Sequence, residues 1–242
     1  MATALEHYEN LLAEHYTWLY GGWETKLEEN RAFFAQIDLL DGAGKSAVDL
    51  GCGSGFQSVP LAQAGYEVYA VDISSTLLSE LRQRADGLPI VCVEGDLLDF
   101  MHTCPASPDL VVCMTDTILH LADKAAIEQL FGSVAGALAQ GGAFVLSFRD
   151  NNAEPRDIDR IIPVRSDDRT IFTCILEYEA EHVKVFDVTY TREGERWSMS
   201  KSFYRKVRVS TEWVRQALEQ SGLRVVDANV VRGMTYLVAQ KS

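Results

Sequence analysis

"VDLGCGSG", Val48 to Gly55, is the stretch whose reading decides the fold. An apolar run meets an acid, Asp49, and Gly51, Gly53 and Gly55 then alternate with small residues. Glycine has no Cβ, so such a turn bends sharply and lets the backbone approach a ligand closely. Two phosphate-binding fingerprints can be tested at once. The dinucleotide pattern GxGxxG fits at Gly51 and Gly53, but its third glycine is replaced by Phe56. The triphosphate pattern GxxxxGK[ST] is suggested by "GKS" at 44–46, but Leu39 stands at its first glycine and the tripeptide precedes a strand. Both readings are poor. Asp49 adds a physical objection, because an acid at the mouth of the turn repels a pyrophosphate and suits an ammonium or a sulfonium.

Working outward, the texture from Ser46 is that of strands alternating with helices. Apolar runs at 47–50, 66–72, 89–96, 109–114 and 142–148 are separated by helical stretches from Phe56, from Ser74 and over 123–139. This alternation predicts βαβ units and a parallel sheet. Ser74 or Ser75 is placed to cap its helix, and "QGG" at 140–142 to end another. After Asp150, "NNAEPRDIDRIIP" reads as a loop, followed by three antiparallel strands through Val209. A helix capped by Ser210 or Thr211 and closed by Gly222 follows, then strands over 223–231 and 234–240. Upstream, Leu5, Leu11, Leu12, Tyr16, Leu19 and Tyr20 recur at helical spacing, and a second helix beyond the glycines at 21–22 is expected to reach about Leu40. The organisation expected is a helical cap (1–40), a core (41–150), a β-rich lid (151–209) and a closing helix and hairpin (210–242).

Composition narrows the function classes. Lys and Arg number 22 against 35 Asp and Glu, a net charge of −13, which disfavours nucleic acid as a partner. No apolar run reaches the roughly 18 residues that a membrane helix needs. The N-terminus lacks the basic and apolar regions of a signal peptide, so a cytoplasmic protein is expected. The five cysteines are scattered and form no CxxC pair, so neither a disulfide framework nor a metal site is expected.

Four stretches in register with the expected strands resemble the motifs of class I, Rossmann-like, S-adenosylmethionine-dependent methyltransferases: "VDLGCGSG", "VYAVDIS" (68–74), "VEGDLLDF" (93–100) and "DLVVCMTDTILHL" (109–121). The resemblance is close over 46–150 and holds in outline over 210–242. It implies a doubly wound, mostly parallel seven-stranded sheet with a terminal antiparallel hairpin. It also implies S-adenosyl-L-methionine as cofactor and S-adenosyl-L-homocysteine as product, and a small-molecule acceptor methylated at N or O. In such a pocket Gly51, Cys52, Gly53 and Gly55 keep side chains clear of the methionine and ribose. Asp72, with Ile73 beside it, accepts the ribose hydroxyls, a paired charge-assisted contact. Asp96 accepts from the adenine amino group and Leu97 offers its backbone N–H. Asp49, Met114 and Thr115 approach the amino-acid end. Taken singly, each acid also reads as a helix cap or a solvated strand end, and Cys52 as a packing residue.

Direct displacement at a sulfonium asks the protein mainly to align the acceptor and remove its proton. His120 is the best-placed imidazole, as base or as buttress of the pocket, with Asp116 a second base candidate. Arg149 and Asp150 line the same rim. Tyr16, Tyr20 and Arg31 are candidates to cover the cofactor, or to pack the cap. The lid strands carry Phe172, Tyr178, Phe186, Tyr190, Trp197, Phe203 and Tyr204, with Phe186, Val188 and Tyr190 on one face by alternation; such an aromatic lid either holds a cationic amine by cation–π contact or forms an apolar seam between protomers, leaving monomer or homodimer open. A nicotinamide-dependent oxidoreductase and a non-catalytic nucleoside-binding protein are the rival readings.

Overall fold

The computed structural model describes His7 and residues 15–241; Leu5, Tyr8, Leu11 and Leu12 of the expected first helix lie outside the described residues. The chain then runs α1 (Tyr16–Leu19), α2 (Trp23–Gln36), β1 (Ser46–Leu50), α3 (Ser58–Gln63), β2 (Glu67–Asp72), α4 (Ser75–Arg84) and β3 (Ile90–Glu94). A 3₁₀ turn (Leu97–His102), β4 (Leu110–Cys113), a second 3₁₀ turn (Thr117–His120), α5 (Lys124–Ala137) and β5 (Ala143–Phe148) follow. A separate antiparallel sheet holds β6 (Ile161–Ser166), β7 (Thr170–Tyr178), β8 (His182–Glu193) and β9 (Arg196–Val207). Helix α6 (Thr211–Gln220) leads into β10 (Leu223–Val231) and β11 (Met234–Lys241).

The main sheet has the order β10-β11-β5-β4-β1-β2-β3. The pairs β4–β5, β1–β4, β1–β2 and β2–β3 are parallel, while β11 runs antiparallel to both β5 and β10. Period-2 alternation sends the strand side chains to two separate layers. Leu110 and Val112 of β4 join the layer built with Phe34 of α2 and Leu61 of α3. Val111 and Cys113 join the opposite one, with Ile127 and Phe131 of α5 and Val214 of α6. A parallel sheet covered on both faces must be apolar throughout, which is why these strands read as unbroken hydrophobic runs. The order reverses at β1, which pairs with β2 on one side and β4 on the other. Ligands of such sheets bind in the crevice at the carboxyl ends of the strands flanking that point.

Serine and aspartate caps fix where the helices begin. Ser74 accepts from Leu77 N–H, Asp123 from Ala126 N–H and Ser210 from Trp213 N–H. Each such cap contributes about 1 kcal/mol. Two expectations are corrected. The second helix stops at Gln36, because Asp38 turns left-handed at φ 57° and ends the ladder four residues early. The segment taken as a loop after Asp150 contains a 3₁₀ turn (Asp157–Arg160) and a fourth lid strand, β6. β6 escapes sequence reading because it is an edge strand: five of its six residues are exposed, and its register with β7 slips between Pro163 and Arg165. An edge tolerates both the missing proline N–H and the lack of alternation.

Candidate active site

A solvent-open cleft of about 790 Å³ lies where the chain leaves β1, β2, β3 and β4. Its floor is the glycine turn. The N–H groups of Gly51 and Cys52 donate to the Val71 carbonyl at 2.8 and 3.0 Å, folding the turn back on β2. Gly51 adopts φ 71°, and a Cβ there would lie 2.3 Å from Thr117 Cγ2. Both the backbone and the space therefore demand glycine. Asp72, at the tip of β2, accepts the Gly53 N–H at 2.8 Å through Oδ2 and the Ser74 N–H at 2.9 Å through Oδ1. Its carboxylate thus ties the glycine turn to the start of α4 while lining the cleft. Ile73, Asp96 and Leu97 line the same cleft, and Asp96 also caps the following 3₁₀ turn through Leu98 N–H at 2.9 Å.

The cap closes one side of this cleft. Tyr16 packs over Gly53, its ring stacked on Phe56 at 5.6 Å, with Trp23 stacked on Phe56 at 5.6 Å and Tyr20 edge-on at 5.8 Å. Phe56, the residue that spoils the dinucleotide pattern, is the socket by which the cap is fastened to the glycine turn. Such aromatic pairs add about 0.5–1.5 kcal/mol each beyond area burial.

A second, larger cavity of about 1460 Å³ adjoins the first. The two share Tyr16, Thr115 and His120. Thr115 and Asp116 sit in succession at φ 62° and 68°, a conformation that costs non-glycine residues of order 1 kcal/mol or more each. β5 holds them there. Ser147 Oγ accepts the Thr115 N–H at 2.7 Å, and the Ser147 carbonyl accepts the Asp116 N–H at 3.0 Å.

Asp116 is the electrostatic centre of this cavity. Its Oδ1 accepts the Arg149 backbone N–H at 2.7 Å; its Oδ2 accepts from the Arg149 guanidinium and from Lys206 Nζ, the latter at 2.7 Å. Burial alone would raise its pKa, but Lys206 and Arg149 outweigh it and hold the carboxyl below the usual range. His120 stacks on Tyr204 at 5.2 Å. Burial, reinforced by Lys206 and His7 against the pull of Asp116, pushes its pKa down to about 3, so the ring is neutral at physiological pH. Asp187 of β8, 1 % exposed, accepts from Cys174 Sγ at 2.7 Å and pairs with His7 Nε2 at 2.9 Å.

The structure therefore brings Tyr16, Gly51, Gly53, Asp72, Ile73, Asp96, Leu97, Thr115 and His120 to the first cleft, and Tyr20, Asp116 and Arg149 with three of these to the second. It leaves five expected contacts outside both. Asp49 is 1 % exposed and accepts from Ser58 Oγ at 2.6 Å, so it braces the turn from behind. Cys52 packs under the turn with Val59 and Leu78. Gly55 makes room for Leu81, whose Cδ1 would lie 2.3 Å from an added Cβ. Met114 continues the β4 alternation into the α2–α3 layer. Arg31 lies on the outer side of α2, bonded to Gln63. Asp116, the second base candidate, has both oxygens engaged and its pKa depressed. Of the lid aromatics, Phe172, Tyr178 and Tyr204 line the second cavity, whereas Phe186, Val188 and Tyr190 lie on the opposite β8 face from the lining residues Val183, Val185 and Asp187. Sequence reading missed Lys206 and Asp187; the signal was available for Lys206, which shares a β9 face with Tyr204 two residues earlier.

Comparison with known proteins agrees with this geometry. Residues 47–142 match the family model described as "Methyltransferase domain". Cypemycin N-terminal methyltransferase from a Streptomyces species is 34 % identical over 107 residues, which span 44 % of this chain and 43 % of that protein. Ubiquinone biosynthesis O-methyltransferase from Methylococcus capsulatus is 32 % identical over 87 residues, 35 % of this chain and 36 % of that one. The chain thus spans under half the length of both. Among solved structures, DesVI of Streptomyces venezuelae superposes with a TM-score of 0.75 at 18 % identity, covering 95 % of this chain and 98 % of that one. An S-adenosylmethionine-bound amino pentose methyltransferase from Micromonospora echinaspora gives 0.73, at 18 % identity over 95 % and 96 %. Residues 47–142 are similar to a methyltransferase domain, in a chain that has the fold of the class I S-adenosylmethionine-dependent methyltransferases.

Proposed function

We propose that the chain transfers a methyl group from S-adenosylmethionine, held in the first cleft, to an N or O atom of a small-molecule acceptor in the second cavity. One observation carries the reading: the two cavities meet, and they share Tyr16, Thr115 and His120. A donor site and an acceptor site in contact are what a direct displacement requires. The cofactor fits the residues present. Gly51 and Gly53 present backbone to the cleft, and Asp72 and Asp96 offer carboxylates where a phosphate would be repelled. When bound, S-adenosylmethionine supplies a methyl group on a sulfonium, already activated for displacement by a lone pair.

The protein's own residues do the rest. Tyr16, seated on Phe56, shields the junction from water. His120 stays neutral, so no cationic ring stands beside a sulfonium. With a pKa of about 3 it is a poor proton store, which supports a positioning role over that of base. Asp116 and the Arg149 guanidinium keep the acceptor-side turn in its left-handed conformation.

Thermal unfolding of the full chain with S-adenosylhomocysteine, S-adenosylmethionine or NAD tests the cofactor half. The first two should raise the melting temperature and NAD should not; a shift with NAD alone would overturn the proposal. Release of S-adenosylhomocysteine in the presence of amine, phenol and hydroxyl acceptors tests the transfer half. Binding without turnover on any of them favours a non-catalytic protein.

A further inference from the structure

We infer that the acceptor carries an anionic group, a carboxylate or a phosphate, and that Arg149 with Lys206 holds it. The inference rests on the two-cavity reading above and names the chemistry of the acceptor side. It follows from which polar groups of the second cavity are already spent.

Three carboxylates line that cavity, and all their oxygens are engaged. Asp116 takes the Arg149 backbone N–H on one oxygen and Arg149 and Lys206 on the other. Asp150, beyond β5, accepts the Asn152 N–H at 3.0 Å and the Thr211 N–H at 2.7 Å. Asp187 accepts from Cys174 on one oxygen and pairs with His7 on the other. The buried Asp116 and Asp187 are also sealed from a ligand, with side-chain exposures of 3 % and 2 %.

The cations are in the opposite condition. A guanidinium has five N–H donors in a rigid fork. Arg149 directs Nη1 at Asp116, and among the described residues no partner takes Nε or Nη2. Its side chain is 53 % exposed although it lines the cavity. Lys206 spends one donor on Asp116 and has two left. With Asp116 and Asp187 buried, the unspent hydrogen-bonding capacity that these charged groups turn toward the cavity is chiefly donor. It lies on the residue following β5 and on β9, both bonded to Asp116 of the Thr115–His120 junction turn. Much of the remaining wall is apolar, with Leu19, Phe172, Leu176 and Val185, and Asn151 there is already bonded to the Val207 carbonyl and the Val209 N–H.

A planar fork of free N–H groups matches a carboxylate or a phosphate by two parallel bonds. An ammonium placed here would meet two cations, and the two buried carboxylates already hold a partner on each oxygen. The excess of donors holds in spite of the chain's net charge of −13, which makes an anion site on this wall a local feature rather than a reflection of the whole surface.

The test is isothermal titration of the full chain loaded with S-adenosylhomocysteine, at one ionic strength, with benzoate, phenyl phosphate, benzyl alcohol and benzylamine. Loading is measured first. Failure of S-adenosylhomocysteine to bind defeats the function proposed above and this inference with it. With loading intact, benzoate or phenyl phosphate should bind at least about tenfold tighter than benzyl alcohol and benzylamine, the gain expected of hydrogen bonds between charged groups. Which anion binds better assigns carboxylate or phosphate. Arg149→Met should reduce the anion to the level of benzyl alcohol. Arg149→Lys, which keeps a cation beside Asp116, should retain part of the preference and guards against a Met variant that fails to fold. No binding of either anion, equal binding of benzylamine, or an undiminished preference in a folded Arg149 variant overturns the inference while leaving the cofactor site standing.

Discussion

Replacing Asp72 with alanine should abolish the cofactor response and loosen the glycine turn together. The carboxylate accepts Gly53 N–H at 2.8 Å and Ser74 N–H at 2.9 Å, so it organises the cleft before any ligand arrives. Hydrogen bonds to a charged group contribute about 1.5–3 kcal/mol each, and ribose contacts at the same carboxylate add energy of the same kind. A loss of about 2.7 kcal/mol in binding is a hundredfold loss of affinity. In a thermal unfolding assay, S-adenosylhomocysteine at 100 times its Kd stabilises the wild type by about 2.7 kcal/mol, or roughly 5–10 °C for a chain of this size. At the same concentration a hundredfold weaker variant gains only about 0.4 kcal/mol, near 1 °C. The ligand-free variant should itself melt several degrees lower, because two backbone donors lose their acceptor. Asp72→Asn should fall between, since it keeps one acceptor oxygen but turns an N–H toward another N–H. An alanine variant that keeps the full ligand shift would refute the assignment of Asp72 to the cofactor.

Gly51→Ala should lower the urea midpoint by an amount worth at least about 2 kcal/mol, from a left-handed alanine and its clash with Thr117, and Thr117→Ala should recover the clash part only. Asp49 has its carboxyl raised to about 7 by burial, opposed by the Ser58 hydrogen bond and aided by Asp72. Its folded pKa exceeds the unfolded one, so its contribution is complete below about pH 4 and lost as pH rises through about 7. Asp49→Asn does not titrate, and its stability relative to wild type should therefore improve between about pH 5 and pH 8; a constant difference would count against the buried-acid reading. The His120 ring should show neutral-imidazole nuclear magnetic resonance shifts that stay flat from about pH 5 to pH 8, and a midpoint near 6.5 would restore it as a candidate base. Ser147→Ala removes the hydroxyl that accepts Thr115 N–H and should lower transfer more than S-adenosylhomocysteine affinity, read as separate kcat and binding changes.

The core was legible because its strands are buried on both faces and read as plain apolar runs between capped helices. Asp72, Asp96 and Thr115 were legible for a related reason: they stand where a strand ends, and strand ends at the β1 reversal face the cleft. Other expected contacts lie inside the same motifs but outside the cleft. Asp49, Cys52 and Met114 were assigned by proximity in sequence, but alternation and the curl of the turn point them into packing layers. β6 gave no signal because an exposed edge strand imposes no periodicity. Lys206 and Asp187 are 90 and 71 residues from Asp116, and only the fold of the lid over the strand ends brings them to one cavity.

β11 lies between β5 and β10, and pairs with β5 in register from Thr235↔Phe148 to Gln240↔Ala143. The neighbour of β5 is thus made some 90 residues after it. While the chain is being synthesised, β5 presents an open edge of apolar residues throughout the emergence of the lid and α6. Such an edge is a template for pairing with another chain. The lid strands, joined by short turns, can pair locally in that interval, whereas the main sheet waits for its most distant contact. Recombinant yield should accordingly depend on temperature and chaperone supply during expression more than on the stability of the finished fold.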